Sequence, residues 1–389
     1  MTPFVDLSPY IAAFFSSSLP SHPSPPPIQH ANQSNGGTFN LAHKKMPSYF
    51  LISVLSAVLI FICTAIQYIY GRGHTDPTTD PDAPVSVNYF PSRKCNYSCG
   101  FCFHTETSSY ILPIAEAKRG LLLLKQAGMR KLNIAGGEPF LNPKFLSQIL
   151  QYSKEELGLE SISIISNGSK IREDWLEKHA KWLDILAVSC DSFNPETNKK
   201  IGRGSDGGNV TRLFQIAEWC RKYGIKFKLN TVVNIYNWDE DMTTQIQELA
   251  PFRWKVFQCL IVAGENDDET RKTDARKFLV TEEQWQTFCR RHKHLESYVP
   301  EDNKHMAGSY LLLDEYMCFL DKGEGMMTKS ESILEVGVKE AMKQVVWDKK
   351  SFVERGGIYD WSRPELYMPQ EAGGCSGNIG DVGLQNLKW

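Results

Sequence analysis

The fold is decided by a short strand-like run that leads into a loop with three cysteines: Val85-Ser-Val-Asn-Tyr-Phe90, then Pro-Ser-Arg-Lys, then Cys95-Asn-Tyr-Ser-Cys99-Gly-Phe-Cys102. Three thiolates can hold three irons of a four-iron cluster and leave the fourth iron open to a small molecule. Two other chemistries use similar spacings. A zinc site normally has four ligands, with His104 available as the fourth, and a redox dithiol needs only the last two cysteines. The position of the loop after a strand, and the glycine motif described below, favour the iron–sulfur cluster.

Beyond this loop, short runs rich in Val, Ile and Leu alternate with helical runs, several of which end at a glycine. The predicted strands are 85–90, 131–135, 161–166, 185–189, 226–233 and 255–260. The predicted helices are 114–127, 144–157, 172–182, 210–222 and 242–249. This alternation predicts an α/β fold with a parallel sheet, either a doubly wound layer or an incomplete barrel. In both architectures ligands bind at the carboxyl ends of the strands, where the cysteine loop lies.

A second motif, Gly136-Gly137-Glu138, follows the second predicted strand. Two glycines let the backbone approach a ligand closely, and Glu138 offers acceptor oxygens to an ammonium group. On its own this motif is weak, because glycine turns before a carboxylate are common. One strand and one helix after the cysteines, it indicates a small-molecule site beside the cluster.

Composition restricts the partners and the compartment. The chain has 389 residues and a net charge of −2, so no global basic field recruits nucleic acid, and we expect no direct nucleic-acid binding. Most of the ten cysteines lie singly in apolar runs, where they resemble small buried hydrophobic residues. We therefore expect no disulfide framework and a reducing compartment.

Residues 50–70 are almost continuously apolar and carry no charge. About twenty such residues in a helix cross a bilayer. A buried core helix and a cleaved signal peptide are the alternatives, but the run is too long for the apolar part of a typical signal peptide, and no small-residue cleavage site follows it. We predict a disordered N-terminus at 1–48, a transmembrane anchor at 49–71 and a linker at 72–84.

The cysteine triplet and the Gly-Gly-Glu motif, in this strand–helix context, resemble the radical S-adenosylmethionine superfamily. The resemblance implies a partial (β/α)6 TIM-like barrel and a [4Fe-4S] cluster held by Cys95, Cys99 and Cys102. It also implies that S-adenosyl-L-methionine binds the open iron and is cleaved, after electron transfer, to methionine and a 5′-deoxyadenosyl radical. In the superfamily the second motif binds the methionine amino group, a role that falls here to Gly136, Gly137 and Glu138.

Longer motifs resemble the viperin branch of this superfamily: SVNY at 86–89, CGFCFHT at 99–105, AEAKRGLLLLK at 115–125, SCDSF at 189–193, IGRG at 201–204 and RWKVFQC at 253–259. The similarity extends from about residue 86 to 361. It predicts a radical core at 85–300, a C-terminal substrate-covering region at 301–362 and a tail at 363–389. The implied substrate is a nucleoside triphosphate. Removal of its C4′ hydrogen, loss of the 3′-hydroxyl as water and one-electron reduction give the 3′-deoxy-3′,4′-didehydro nucleotide, an antiviral chain terminator.

Basic residues on the last two predicted strands suit a triphosphate, because Lys and Arg supply charge-assisted hydrogen bonds to phosphate. Arg253 and Lys255 alternate along one strand and so face the same side. A solvated edge strand is the alternative. The resemblance favours substrate binding by Lys228, Arg253 and Lys255. It also places Asn88, Lys131 and Ala135 at the nucleotide, Phe103, Ser189 and Arg203 at the cofactor, and Tyr310 as a hydrogen or proton donor late in the reaction.

The chain departs from the best-known viperins in three places. Ala135 stands where they have Ser beside the substrate, and the lost hydroxyl leaves CTP and UTP both open as substrates. The predicted membrane span replaces an amphipathic helix that lies on the membrane. Residues 363–384 look inserted, although the chain still ends in Trp389. In the family a terminal Trp is read by the cytosolic iron–sulfur assembly machinery.

The expected partners are therefore a nucleoside triphosphate, a membrane, that assembly machinery through Trp389, and a reductant protein. We expect the endoplasmic reticulum, or a lipid droplet, as the location, with the catalytic domain facing the cytosol. Lys44 and Lys45 before the span slightly favour the opposite orientation. Cytosolic S-adenosylmethionine, nucleotides and cluster assembly outweigh that weak signal.

Two other functions compete. A radical enzyme acting on a peptide or tRNA often carries further cysteine clusters, but Cys289, Cys318 and Cys375 are too isolated to hold one at local spacing. A membrane-tethered adaptor with a structural metal would need neither Gly-Gly-Glu nor the basic residues. Cleavage of S-adenosylmethionine separates an enzyme from such an adaptor.

Overall fold

The computed structural model describes residues 83–105, 107–204, 209–321 and 328–361. The predicted disordered N-terminus, the predicted anchor and the tail that ends in Trp389 lie outside these residues. Within the described ranges, no helix is both long enough and apolar enough to cross a membrane.

The described residues form a sheet with strand order β10-β9-β8-β1-β2-β3-β4-β5-β6-β7. The strands are β1 (Ser86–Tyr89), β2 (Lys131–Ile134), β3 (Ser161–Ser166), β4 (Ile185–Ser189), β5 (Lys226–Val233), β6 (Arg253–Gln258), β7 (Tyr298–Glu301), β8 (Leu311–Leu313), β9 (Cys318–Leu320) and β10 (Lys329–Ser332). Strands β1 to β7 pair in parallel in chain order, and β8 pairs in parallel with β1 on the other side. Strands β9 and β10 extend the β8 edge in antiparallel fashion.

Helices follow most of these strands. They are α1 (Ile114–Gln126), α2 (Pro143–Gln151), α3 (Glu173–His179), α4 (Pro195–Ile201), α5 (Asn209–Lys222), α6 (Thr243–Leu249), α7 (Glu282–His292), α8 (Asn303–Ser309), α9 (Ile333–Val336), α10 (Val338–Met342) and α11 (Lys349–Glu354). A π-helical turn, Tyr152–Glu156, continues α2.

The six predicted strands are present, but the sixth was placed two residues too late. It runs from Arg253 to Gln258, so Arg253 is its first residue and Lys255 its third. Strands β7 to β10 were not predicted, because each has only three or four residues and little periodicity. The first of them, β7, carries a residue that is central to the site described below.

Alternation along β5 shows how the sheet separates the core from the site. Phe227, Leu229 and Val233 are buried in the same apolar core as residues of α5. Asn230 and Val232, on the opposite face, line a central cavity that residues of β1, β4 and β6 also line. Strands that are not neighbours therefore surround one cavity, so the sheet is curved. Its edge strands β7 and β10 do not pair with each other, which leaves the barrel incomplete.

Candidate active site

The cysteine loop is fixed against the end of α4 by backbone hydrogen bonds. Ser98 N donates to Gly202 O at 3.2 Å, and Gly100 N donates to Ile201 O at 3.0 Å. Gly202 has φ of +85°, and a Cβ there would lie 2.2 Å from Ser98 O. Glycine is therefore required at this position both for its conformation and for the close approach of the two segments.

The three predicted cluster ligands line one cavity of about 290 Å³. Burial raises the pKa of all three thiols, to about 12 for Cys99, while the Arg203 guanidinium acts in the opposite direction. Arg203 itself is buried and paired with Asp191. A fixed positive charge next to the thiols favours their thiolate form, which is the form that binds iron.

The described ranges contain no group of three His, Cys, Asp or Glu residues that could hold a single metal ion. Separated thiols suit a four-iron cluster, in which each cysteine binds a different iron. His104 lies with its Nε2 atom 3.8 Å from Glu315 Oε2, and its ring is tilted against that of Phe90, with ring centroids 4.7 Å apart. The donor set therefore fits the cluster better than a zinc site completed by His104.

The Gly-Gly-Glu motif is held against the segment that precedes the cysteines. Gly137 N donates to Ser92 O at 2.7 Å, and Glu138 N donates to Lys94 O at 2.8 Å. A Cβ at Gly137 would lie 2.0 Å from Lys94 O, so the glycine is needed for loop packing as well as for ligand access. Gly136 and Gly137 line the cavity.

Glu138 differs from the expectation, because its carboxylate is used inside the protein and does not line this cavity. It accepts hydrogen bonds from Phe140 N at 3.0 Å, Ser166 Oγ at 2.8 Å and Asn167 N at 2.7 Å. These bonds tie the loop after β2 to the loop after β3. Glu138 thus shapes the site by holding two of its loops in register.

The other predicted cavity residues meet at the same place. Asn88, Phe103, Ala135, Ser189, Arg203 and Tyr310 all line the cavity. Lys131, Lys228, Arg253 and Lys255 do not. The expected nucleotide residues therefore divide into a cavity-lining set and a separate set of cations.

These four cations lie close to one another outside the cavity, and Arg355 lies with them. We call the five residues the basic cluster: Lys131, Lys228, Arg253, Lys255 and Arg355. Lys228 and Arg253 are direct neighbours in the register of β5 and β6. Burial and the neighbouring positive charges lower the pKa of Lys131 well below its usual range, and they lower that of Lys228 to about 7 although Glu301 opposes the shift. Burying like charges together is unfavourable unless an anion binds among them.

The C-terminal residues of the described chain pack against these cations on one side, and we call them the floor of the site. Lys131 Nζ donates to Tyr359 Oη at 2.9 Å, and Arg253 lies 4.3 Å from the centroid of the same ring. Arg253 also donates to Gly356 O at 3.3 Å. The Nε atoms of Arg253 and Arg355 are buried and have no hydrogen-bond partner among the described residues. These two buried donors therefore have unused hydrogen-bonding capacity.

Tyr310 connects the cavity with the basic cluster. Its hydroxyl accepts from Lys255 Nζ at 2.7 Å and from Arg355 at 3.3 Å, and it donates to the carboxylate of Glu301. Burial raises the pKa of Tyr310 well above its usual range, and Glu301 adds to the effect against the opposing Arg355. The phenol therefore keeps its hydrogen at neutral pH and can serve as a donor.

Comparison with known proteins adds decisive information. The family model of the radical SAM superfamily matches residues 89–250. A protein of Oncorhynchus mykiss named S-adenosylmethionine-dependent nucleotide dehydratase RSAD2 is 47% identical over 338 residues, which cover 82% of this chain and 97% of the relative. The protein of the same name from Danio rerio is 53% identical, covering 73% of this chain and 80% of the relative. This chain belongs to the viperin family of radical SAM nucleotide dehydratases.

More distant relatives extend the same family. A Flammeovirga pacifica protein named S-adenosylmethionine-dependent nucleotide dehydratase is 33% identical, covering 71% of this viperin and 96% of the relative. Solved structures of Streptococcus suis SuiB bound to S-adenosylmethionine (TM-score 0.50, 17% identity, 71% of this chain and 68% of that one) and of anSMEcpe with bound AdoMet (TM-score 0.51, 15% identity, 69% and 78%) share the fold. At these identities they establish the fold alone.

As a member of this family, the protein is a radical SAM nucleotide dehydratase, a lyase, with a [4Fe-4S] cluster and S-adenosyl-L-methionine as cofactors. Sequence reasoning did not assign three residues of its site: Glu301, Arg355 and Tyr359. Arg355 stands directly before two glycines, Gly356 and Gly357, and this short run was the only local signal for it. Glu301 and Tyr359 gave no local signal, because their roles arise from contacts across the fold.

Proposed function

We propose that this viperin converts a pyrimidine nucleoside triphosphate, CTP or UTP, to its 3′-deoxy-3′,4′-didehydro analogue. The observation that carries the proposal is a buried basic cluster joined through Tyr310 to the cavity that the three cysteines line. A triphosphate in the basic cluster would extend its ribose and base towards that cavity. When bound, the iron–sulfur cluster and S-adenosylmethionine would supply the radical chemistry that removes the C4′ hydrogen of the ribose.

The protein residues have distinct roles in this proposal. Lys131, Lys228, Arg253 and Lys255 bind the phosphates, while Asn88 and Ala135 contact the nucleoside. Gly136 and Gly137 border the methionine part of the cofactor, and Phe103, Ser189 and Arg203 border its adenosyl part. Loss of the 3′-hydroxyl as water takes up a proton, and the remaining nucleotide radical takes up an electron. Tyr310, which keeps its hydroxyl hydrogen, is the proposed hydrogen or proton donor.

Base choice rests on the cavity wall at Ala135. A carbonyl and an amine at the pyrimidine 4-position differ only in their donor and acceptor pattern, and an alanine side chain offers neither group. We therefore expect CTP and UTP to react faster than ATP and GTP. Ala135→Ser adds a hydroxyl and should change the ratio of CTP to UTP turnover.

The test is release of 5′-deoxyadenosine by anaerobically reconstituted protein with each of the four nucleoside triphosphates, with the nucleotide product identified by mass. Pyrimidine-dependent release, together with a product lighter than its substrate by one water, supports the proposal. Equal release with all four nucleotides would contradict the substrate class. Release with a peptide alone would overturn the assigned reaction.

We also propose that residues 50–70 anchor the protein in the endoplasmic reticulum or on a lipid droplet, with the catalytic residues in the cytosol. The support is the length and apolarity of that stretch, together with the cytosolic source of nucleotides and S-adenosylmethionine. Cluster delivery would use Trp389, and a separate protein would supply the electrons.

A further inference from the structure

Glu301, at the end of β7, makes two contacts with members of the basic cluster and one with Tyr310. Its carboxylate accepts hydrogen bonds from Lys255, from the Tyr310 hydroxyl and, at 3.3 Å, from Arg355. Its side chain is buried. Burial alone would raise the pKa of Glu301, but Lys255 and Arg355 lower it to about 2, so the carboxylate is ionised at neutral pH.

This carboxylate and a triphosphate would use the same donors. Carboxylate and phosphate oxygens both accept charge-assisted hydrogen bonds from ammonium and guanidinium groups. Two anions among one set of cations also repel each other. A phosphate that takes Lys255 and Arg355 would therefore draw them away from Glu301 and leave the Tyr310 hydroxyl as the donor that stays with the carboxylate.

We propose that Glu301 is a positioning residue that links occupation of the triphosphate site to the placement of the Tyr310 hydroxyl. The inference rests on the proposed function and adds a device by which the site senses a complete triphosphate. Lys255 and Arg355 contact both Glu301 and Tyr310, so a change at the phosphates reaches the phenol through one intervening residue. When the terminal phosphate has engaged these two cations, Tyr310 is held in place by its hydrogen bond to Glu301, and its hydroxyl leaves that bond and turns to the nucleotide to deliver its hydrogen.

The substrate dependence follows from this arrangement. A nucleoside diphosphate lacks the terminal phosphate and would leave Lys255 and Arg355 on Glu301. The ribose could still lose its C4′ hydrogen, but Tyr310 would be poorly placed to complete the reaction. We expect a diphosphate to give more 5′-deoxyadenosine per molecule of dehydrated nucleotide than the triphosphate gives.

The experiment uses Glu301→Gln and Glu301→Asp, with Glu354→Gln as a matched control. Glu354 is an exposed carboxylate whose contact is a 3.8 Å pair with Lys350. Both measurements use anaerobically reconstituted protein: triphosphate binding is measured by calorimetry without S-adenosylmethionine, and the ratio of 5′-deoxyadenosine to dehydrated nucleotide is measured with it. Because Glu301→Gln removes a competing anion, it should tighten triphosphate binding by roughly three- to tenfold. The same change should lower kcat by about tenfold or more through loss of orientation.

Glu301→Asp keeps the charge but withdraws the carboxylate by one methylene group. Its triphosphate Kd should stay within about twofold of the wild-type value, while the excess of 5′-deoxyadenosine over product rises. This second variant keeps the test decisive if Glu301→Gln does not fold. Glu354→Gln should behave as wild type in both measurements.

A merely structural role for Glu301 would weaken binding and turnover together and leave the product ratio unchanged. Weaker triphosphate binding by Glu301→Gln, or a wild-type product ratio in Glu301→Asp, would overturn the inference and leave the proposed function intact. If wild-type protein forms no 5′-deoxyadenosine with any nucleoside triphosphate, the proposed function itself fails.

Discussion

At the scale of single residues, the basic cluster is a set of buried charges whose repulsion a phosphate would relieve. Lys255 donates to both Glu301 and Tyr310, so it contributes to phosphate binding and to the position of the phenol. We predict that Lys255→Ala raises the free energy of triphosphate binding by about 1.5–3 kcal/mol, because a charge-assisted hydrogen bond is lost. Calorimetric titration with triphosphate measures this change.

The exposed Lys350 provides the control for Lys255. The substitution Lys350→Ala removes the same charge from the surface and should leave triphosphate binding unchanged. S-adenosylmethionine binding should be similar in wild type and Lys255→Ala, since Gly136 and Gly137 lie on another loop. Equal loss of both ligands in Lys255→Ala would indicate general damage to the fold.

Protonation of Lys228 should make the affinity for triphosphate depend on pH. Its pKa of about 7 means that it is largely protonated at pH 6 and largely neutral at pH 8.5, and a bound triphosphate would raise that pKa. Binding must then take up a proton above pH 7, so we predict that affinity falls as pH rises from 7 to 9, by up to about tenfold per pH unit. The affinity should fall only above pH 7, because the terminal phosphate loses its last proton near pH 6 and so does not titrate in the higher range.

Affinity measured between pH 7 and 9 for wild type and Lys228→Gln tests this assignment. The variant should bind more weakly at pH 7 and show a smaller slope of log Kd against pH. An unchanged slope in Lys228→Gln would mean that another group takes up the proton.

At the scale of elements, the end of α4 carries the cysteine loop, and its glycine is the contact point. Gly202 and Gly158 both have positive φ, +85° and +58°, but a Cβ at Gly202 would lie 2.2 Å from Ser98 O, whereas one at Gly158 would meet nothing within 4 Å. We predict that each change to alanine costs about 1–2 kcal/mol from the left-handed conformation. Gly202→Ala should in addition displace the loop and lower the iron content.

Thermal unfolding and iron content per chain separate these two effects. Gly158→Ala is the matched control and should retain wild-type iron. Wild-type iron in Gly202→Ala would show that the cysteine loop does not depend on its contact with α4.

At the scale of the whole molecule, the curved sheet collects residues that are far apart in sequence. Lys131 on β2 meets Tyr359 across 228 positions, and Arg355 meets Glu301 across 54. The described C-terminal residues therefore complete the floor of the site rather than forming an independent unit.

The membrane arrangement is also a property of the whole chain. We predict that residues 50–70 anchor the protein and that residues 85–389 face the cytosol. Protease added to sealed microsomes should digest the catalytic residues, while a lumenal marker protein stays protected until detergent is added. Protection of the catalytic residues equal to that of the marker would reverse the predicted topology.

The sequence by itself determined the α/β class and the six central strands, and it predicts the three cysteines that would hold the cluster. Each of these features depends on a short segment of sequence: a periodic apolar run for a strand or helix, and the spacing of cysteines within one loop for the cluster. It also identified the cations of β5 and β6, because charge on a buried parallel strand is unusual.

Only the tertiary structure decided what those residues contact. Glu138 reads as a ligand for an ammonium group, yet its oxygens hold the loops after β2 and β3 together. Glu301 lies on a strand too short to predict, and Arg355 and Tyr359 join the site from the far end of the described chain. The physical reason is that periodicity and ligand spacing depend on neighbours along the chain, whereas the partners of a buried charge depend on how the sheet curves and brings distant segments together.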